Sequence, residues 1–281
     1  MTRRVAIVGI DGAGKSSVMA RLRELAPTGD PDAFAAMTCP DFHNTRDVPL
    51  TELSTQLKAF SVGCDEISSL EMKATAMYLQ MTLFGPVERH FLDTWSPDVL
   101  VFERHPLIEL QVYGPLYVAL AGPDWNGHDR EHEIAAVLER HRPGTFDDIL
   151  AWQHSQAARL GSARDIWSLL SEIADLVGRD ITASVAGFAA RFRTTLPDAV
   201  LWLDVPPEQA AVRCALRSGE GMEEAHETAE RLAMLREGYL RVRDTLASAF
   251  PEIGFHRIDT ADGVDLDESV RACVREGKLF G

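Results

Sequence analysis

Long apolar runs, paired cysteines and an excess of basic charge are all missing from this sequence, and each absence excludes something. No window approaches the roughly 20 apolar residues that a membrane span requires, so no spanning segment is expected. The first residues do not have the form of a secretory leader, because their apolar run is short and passes straight into a glycine-rich loop. Cys39, Cys64, Cys214 and Cys273 are far apart and show no Cys-x-x-Cys spacing. That argues against a disulfide framework or a zinc site and for reduced thiols in a cytoplasmic protein. Lys and Arg number 28 against 43 Asp and Glu, a formal net charge of -15. A nucleic-acid polymer or an anionic membrane needs a basic surface, so neither is expected as a partner. A small phosphorylated ligand needs only a few placed cations and stays open. No internal repeat, low-complexity tract or linker is visible, and 281 residues suffice for one large α/β domain, with or without a substantial insertion.

The stretch from Val5 to Met19 organises what is there. It contains Gly9-x-x-x-x-Gly14-Lys15-Ser16, the pattern of a phosphate-binding P-loop. Gly9, Gly12 and Gly14 admit backbone angles that a side chain forbids and leave room for close approach to a phosphate. Gly12, Ala13, Gly14, Lys15, Ser16 and Ser17 would cradle the phosphates with backbone N–H groups at a helix start. Lys15 would reach the β- and γ-phosphates, and the Ser16 hydroxyl would hold Mg²⁺. The setting agrees with the motif. Arg4–Val8 reads as a buried parallel strand, and Val18, Met19, Leu22 and Leu25 recur at helical spacing up to the stop at Pro27 and Gly29.

Further strands are expected at residues 33–38, Val99–Phe102, Val200–Val205 and Phe255–Asp259. Helices are expected across residues 50–95, with a break near Gly85-Pro86, from Pro207, over about 228–250 and up to Val274. Ligands of an open parallel sheet bind at the carboxyl ends of its strands. That directs attention to Asp41 and Arg46 after the second strand, and to Glu103-Arg104-His105 after the third. A charged triplet there should meet charges or a metal. Glu103 would approach the Mg²⁺ shell and Arg104 would hold a phosphate. Arg213 and Arg217, before the flexible 218–221 stretch, suit a lid over phosphates. His128 and His132 stand four apart but read as polar surface rather than a metal pair.

These pieces together resemble thymidylate kinase and, more loosely, the wider P-loop nucleoside and nucleotide kinases. The resemblance rests on residues 9–17, on Glu103-Arg104-His105, on Leu203-Asp204-Val205-Pro206-Pro207-Glu208 and on Leu235-Arg236-Glu237-Gly238-Tyr239-Leu240. It covers about two-thirds of the chain. It implies a single P-loop kinase-like α/β domain over 1–281, with a parallel five-stranded sheet flanked by helices, while the residues of 114–195 themselves read as a mainly helical insertion. It also implies ATP with Mg²⁺ as donor, γ-phosphoryl transfer to a small-molecule acceptor, and a homodimer through the helices around 50–95. By the resemblance Asp11 lies near the acceptor sugar, Arg104 and Arg46 bind acceptor phosphate, and Arg213 and Arg217 lie in the lid. The sequence departs from thymidylate kinases at Val8-Gly9, at Glu103-Arg104-His105 (closer to the Glu-Arg-Ser of deoxynucleoside kinases), in the acceptor helix near Phe84 and Arg89, and in the length of 114–195. The expected reaction is phosphoryl transfer to a nucleoside monophosphate such as dTMP. The alternatives are transfer to a nucleoside or other small alcohol, with Asp41 as base, and nucleotide binding without turnover.

Overall fold

The central strands of one parallel sheet come from runs that are β-branched or otherwise apolar on both faces, with more mixed strands at the edges. The computed structural model describes residues 1–27, 33–121, 127–141, 143–218 and 228–280. In chain order the elements are β1 (Arg3–Val8), α1 (Lys15–Leu25), β2 (Phe34–Thr38), α2 (Thr51–Glu66), α3 (Leu70–Met81), α4 (Phe84–Thr94), β3 (Val99–Glu103), α5 (Pro106–Ala121), α6 (Glu131–His141), α7 (Thr145–Leu160), α8 (Leu169–Val177), α9 (Ile181–Phe192), β4 (Ala199–Asp204), α10 (Pro207–Ser218), α11 (Ala229–Ala249), β5 (Gly254–Asp259) and α12 (Leu266–Gly277).

The chain forms two compact units. The first comprises Met1–Cys39, Glu88–Val112 and Thr195–Gly281, and the second Pro40–Val87 and Tyr113–Thr194. The first holds the whole sheet, in the order β2-β3-β1-β4-β5 with every neighbour parallel. All of β3 and β4 and the last four residues of β1 are buried, whereas the edge strands β2 and β5 are only partly so. Central strands sealed on both sides fix the register, in which Ile7 lies opposite Glu103 and Leu201. The ends of β1, β3 and β4 are thereby held side by side.

The second unit is helical, built from α2, α3, α6, α7, α8 and α9 with the flanking parts of α4 and α5. The break expected near Gly85-Pro86 falls at Thr82–Leu83, between α3 and α4, and Gly85-Pro86 lie in the first turn of α4, which tolerates proline. Gly85 is required there by packing, since a Cβ would lie 2.3 Å from the Phe192 carbonyl oxygen. Several buried polar groups of this unit are matched to one another. The Tyr78 hydroxyl donates to Glu172 at 3.0 Å, Arg191 pairs with the same carboxylate, and the Trp152 indole donates to the Thr82 hydroxyl at 2.7 Å. All four cysteines are free and buried. Among the described residues, no helix is long and apolar enough to cross a membrane.

Candidate active site

The loop between β1 and α1 turns through glycines whose angles no other residue holds at low cost. Gly12 has φ +78, and a Cβ on it would lie 2.4 Å from the carbonyl oxygen of Ala210 in α10. Gly14, at φ +87, is the residue preceding α1, and no side chain caps that helix. The first-turn amides of Lys15, Ser16 and Ser17 have no carbonyl one turn back to bond to. Ser16 and Ser17 are exposed. An uncapped helix start behind a tight loop is an anion site, and it suits the phosphates of a nucleotide.

Lys15 is buried beside it. Its Nζ donates to the carbonyls of Gly9 and Ile10, at 2.8 Å each, and lies 3.7 Å from Asp11 Oδ1. Burial, and then the neighbouring Arg104 charge, lower its pKa from 10.5 to about 8, against the opposite pull of Asp11, Glu109 and Glu103. This ammonium has its contacts within its own loop, one side-chain swing from a phosphate bound there.

Two further residues come from the end of β3. Glu103 accepts a hydrogen bond from the Ser16 hydroxyl at 2.6 Å. A hydroxyl and a carboxylate are hard oxygen donors of the kind Mg²⁺ takes together with phosphate and water oxygens, so these side chains fit that metal. Arg104 holds a left-handed backbone, φ 66, with its N–H donating to the Ile7 carbonyl at 2.9 Å. Its guanidinium spans two carboxylates. One terminal nitrogen donates to Glu109 at 2.6 Å and the other to Asp11.

The rim is tied down by arginines. Arg213 of α10 reaches the Gly12 carbonyl at 3.3 Å, the Thr260 carbonyl at 2.9 Å and Asp262 at 2.7 Å, so it braces the loop against the residues after β5. Arg217 is exposed one turn further on. The glycine break and acidic run expected as a lid fall at 219–227, outside the described residues, as does Gly29. Asp204, buried at the end of β4, accepts from Nε and one terminal nitrogen of Arg236 at 2.7 and 2.9 Å and from Arg257 at 2.7 Å.

Asp11, Gly12, Ala13, Gly14, Lys15, Ser16, Ser17, Glu103, Arg104 and Arg213 are thus gathered in the first unit, whereas Asp41 and Arg46 belong to the second. Asp41 lies 3.3 Å from the Lys58 ammonium through Oδ2. Its Oδ1 is buried with no hydrogen-bond partner among the described residues. Arg46 is exposed. His128 is exposed and sits 3.2 Å from Asp165. No group of three His, Cys, Asp or Glu among the described residues could hold a metal.

Sequence reasoning missed Glu109 and Tyr239. The Tyr239 hydroxyl donates to Glu109 at 2.7 Å and lies 3.2 Å from the Gly9 carbonyl. A signal for Glu109 existed, because it is the one charged residue in the otherwise apolar α5, and a buried charge demands partners.

No protein-family model matches the sequence, and no curated protein matches it. Solved structures do. The chain is similar to thymidylate kinase from Candida albicans over 99% of its own length and 93% of the other's, at 14% identity and a TM-score of 0.50. It is similar to deoxyadenosine kinase from M. mycoides with bound dCTP over 99% and 100%, at 13% identity and a TM-score of 0.51. The same enzyme with dCMP and a flexible dCDP gives 13% identity and 0.50. The α/β fold, with its 2-3-1-4-5 parallel sheet flanked by helices, is that of the P-loop kinases.

Proposed function

We propose that the protein transfers the γ-phosphoryl group of ATP to a small acceptor of the nucleoside or nucleotide class. The observation that carries this reading is the Ser16–Glu103 hydrogen bond at the mouth of an uncapped P-loop helix, with the Lys15 ammonium against the same loop. The first-turn amides hold the donor phosphates. Lys15 exchanges its carbonyl contacts for phosphate oxygens, and Arg104 neutralises charge that grows on the transferring oxygens. Ser16 and Glu103 would hold Mg²⁺, which supplies further neutralisation of the phosphates. Substituting Lys15→Met should lower ATP turnover by about 10²-fold or more. Glu103→Gln should raise the Mg²⁺ concentration needed for half-maximal rate. Near-normal turnover in Lys15→Met would overturn the reading.

Two acceptors are consistent with these residues. A nucleoside monophosphate such as dTMP is favoured by the arginine at the end of β3, the counterpart of the acceptor-phosphate arginine in the resembling kinases. An unphosphorylated alcohol is favoured by Asp41, whose Oδ1 is buried without a partner and would accept the proton of an attacking hydroxyl. A monophosphate is already a nucleophile and has no need of that base. Asp41→Asn should therefore cost an alcohol kinase far more than a monophosphate kinase.

A further inference from the structure

Glu109 is the only charged residue in the 16 residues of α5, and it is 1% exposed. Its two carboxylate oxygens have different partners. Oε2 takes a terminal N–H of Arg104 at 2.6 Å, and Oε1 takes the hydroxyl proton of Tyr239 at 2.7 Å. Tyr239 is itself fully buried in α11, so the carboxylate has little freedom to follow Arg104 elsewhere. The other terminal nitrogen of Arg104 is engaged by Asp11. Around this point two cations, Lys15 and Arg104, face three carboxylates, Asp11, Glu103 and Glu109. A phosphate arriving on the acceptor would compete with these two carboxylates for Arg104. Displacing Glu109 leaves a buried anion short of a partner, a heavy cost. A neutral hydroxyl makes no such demand.

We propose that Glu109, braced by Tyr239, is a positioning residue that keeps Arg104 from gripping an acceptor phosphate, so that the acceptor is an uncharged hydroxyl rather than a phosphate monoester. This rests on the kinase reading above and narrows its acceptor. The test compares thymidine and deoxyadenosine with dTMP and dAMP. Binding is measured by calorimetry and turnover with Mg²⁺–ATP, in the wild-type protein, Glu109→Gln and Tyr239→Phe. The wild type should prefer the nucleosides by tenfold or more in kcat/KM. Glu109→Gln, which keeps the size and a hydrogen bond to Tyr239, should shift that preference tenfold or more toward the monophosphates. The shift should appear in their KM and Kd, with kcat less affected. Tyr239→Phe should shift it in the same direction by less. A merely structural Glu109 would lower kcat and stability for both acceptor classes alike. A common loss of that kind, a preference unmoved within twofold, or a wild type that prefers monophosphates tenfold overturns the proposal while leaving ADP binding and the kinase reading intact. Failure of the wild type to bind ADP or turn over any acceptor overturns the kinase reading itself. Should Glu109→Gln not fold, the wild-type preference and Tyr239→Phe decide alone.

Discussion

Lys15 is a buried ammonium whose proton is held loosely, at about pH 8, by burial and by the Arg104 charge. A bound polyphosphate supplies a counter-charge and raises that pKa, so binding takes up a proton wherever the free protein has lost it. The affinity for ADP should therefore be level below about pH 8. Above it, the affinity should fall as pH rises, by up to about tenfold per pH unit. Calorimetric titrations from neutral to alkaline pH check this, and Lys15→Arg, charged throughout, should flatten the profile. A wild-type profile that is flat through pH 8–10 would show that Lys15 does not meet the phosphates. The identity of this lysine was legible because motif, strand and helix all lie within 25 residues of one another. Its company was not. Glu109 and Tyr239 are brought to the loop from α5 and α11, and no local pattern announces a contact between residues 130 positions apart.

Among the elements, β4 and α11 show how a strand end is secured. Asp204 is the last residue of β4 and is buried, a position that costs stability unless the charge is matched. Arg236 of α11 answers it with two hydrogen bonds, lying 6.0 Å from the Trp202 ring centroid. Replacing Arg236 with Met keeps most of the apolar contact and leaves Asp204 with Arg257 alone. The expected loss is about 1–3 kcal/mol of folding stability, read by urea unfolding. A loss below about 0.5 kcal/mol, the level of an ordinary surface substitution, would mean that the pair does not hold β4 to α11. The central strands were readable because parallel strands buried on both faces are plain apolar runs. The part of α5 before Gly114 was not, for the same reason turned around. It is apolar on every side apart from Glu109 and Gln111, so no stripe marks its period, and Gly114-Pro115 punctuates a helix that continues through them.

For the molecule as a whole, a net charge of -15 coexists with a cluster of placed cations, each matched by carboxylates or carbonyls, in the first unit. Lys15, Arg104 and Arg213 are each tied to the P-loop or its neighbours. On the proposed reading, a small phosphorylated donor would be met by these placed cations, whatever the overall charge. The acceptor was the least legible part of the sequence, since the helical stretches at 50–95 and 114–195 carry packing patterns rather than motifs. Phosphoryl transfer is best checked by acceptor-dependent ADP release from Mg²⁺–ATP, measured across deoxynucleosides, deoxynucleoside monophosphates and small hydroxylated metabolites. ADP release should require an acceptor of the nucleoside or nucleotide class and should fall about 10²-fold or more when Lys15 is replaced by Met. ADP release that is absent with every acceptor, or indifferent to Lys15, would contradict phosphoryl transfer.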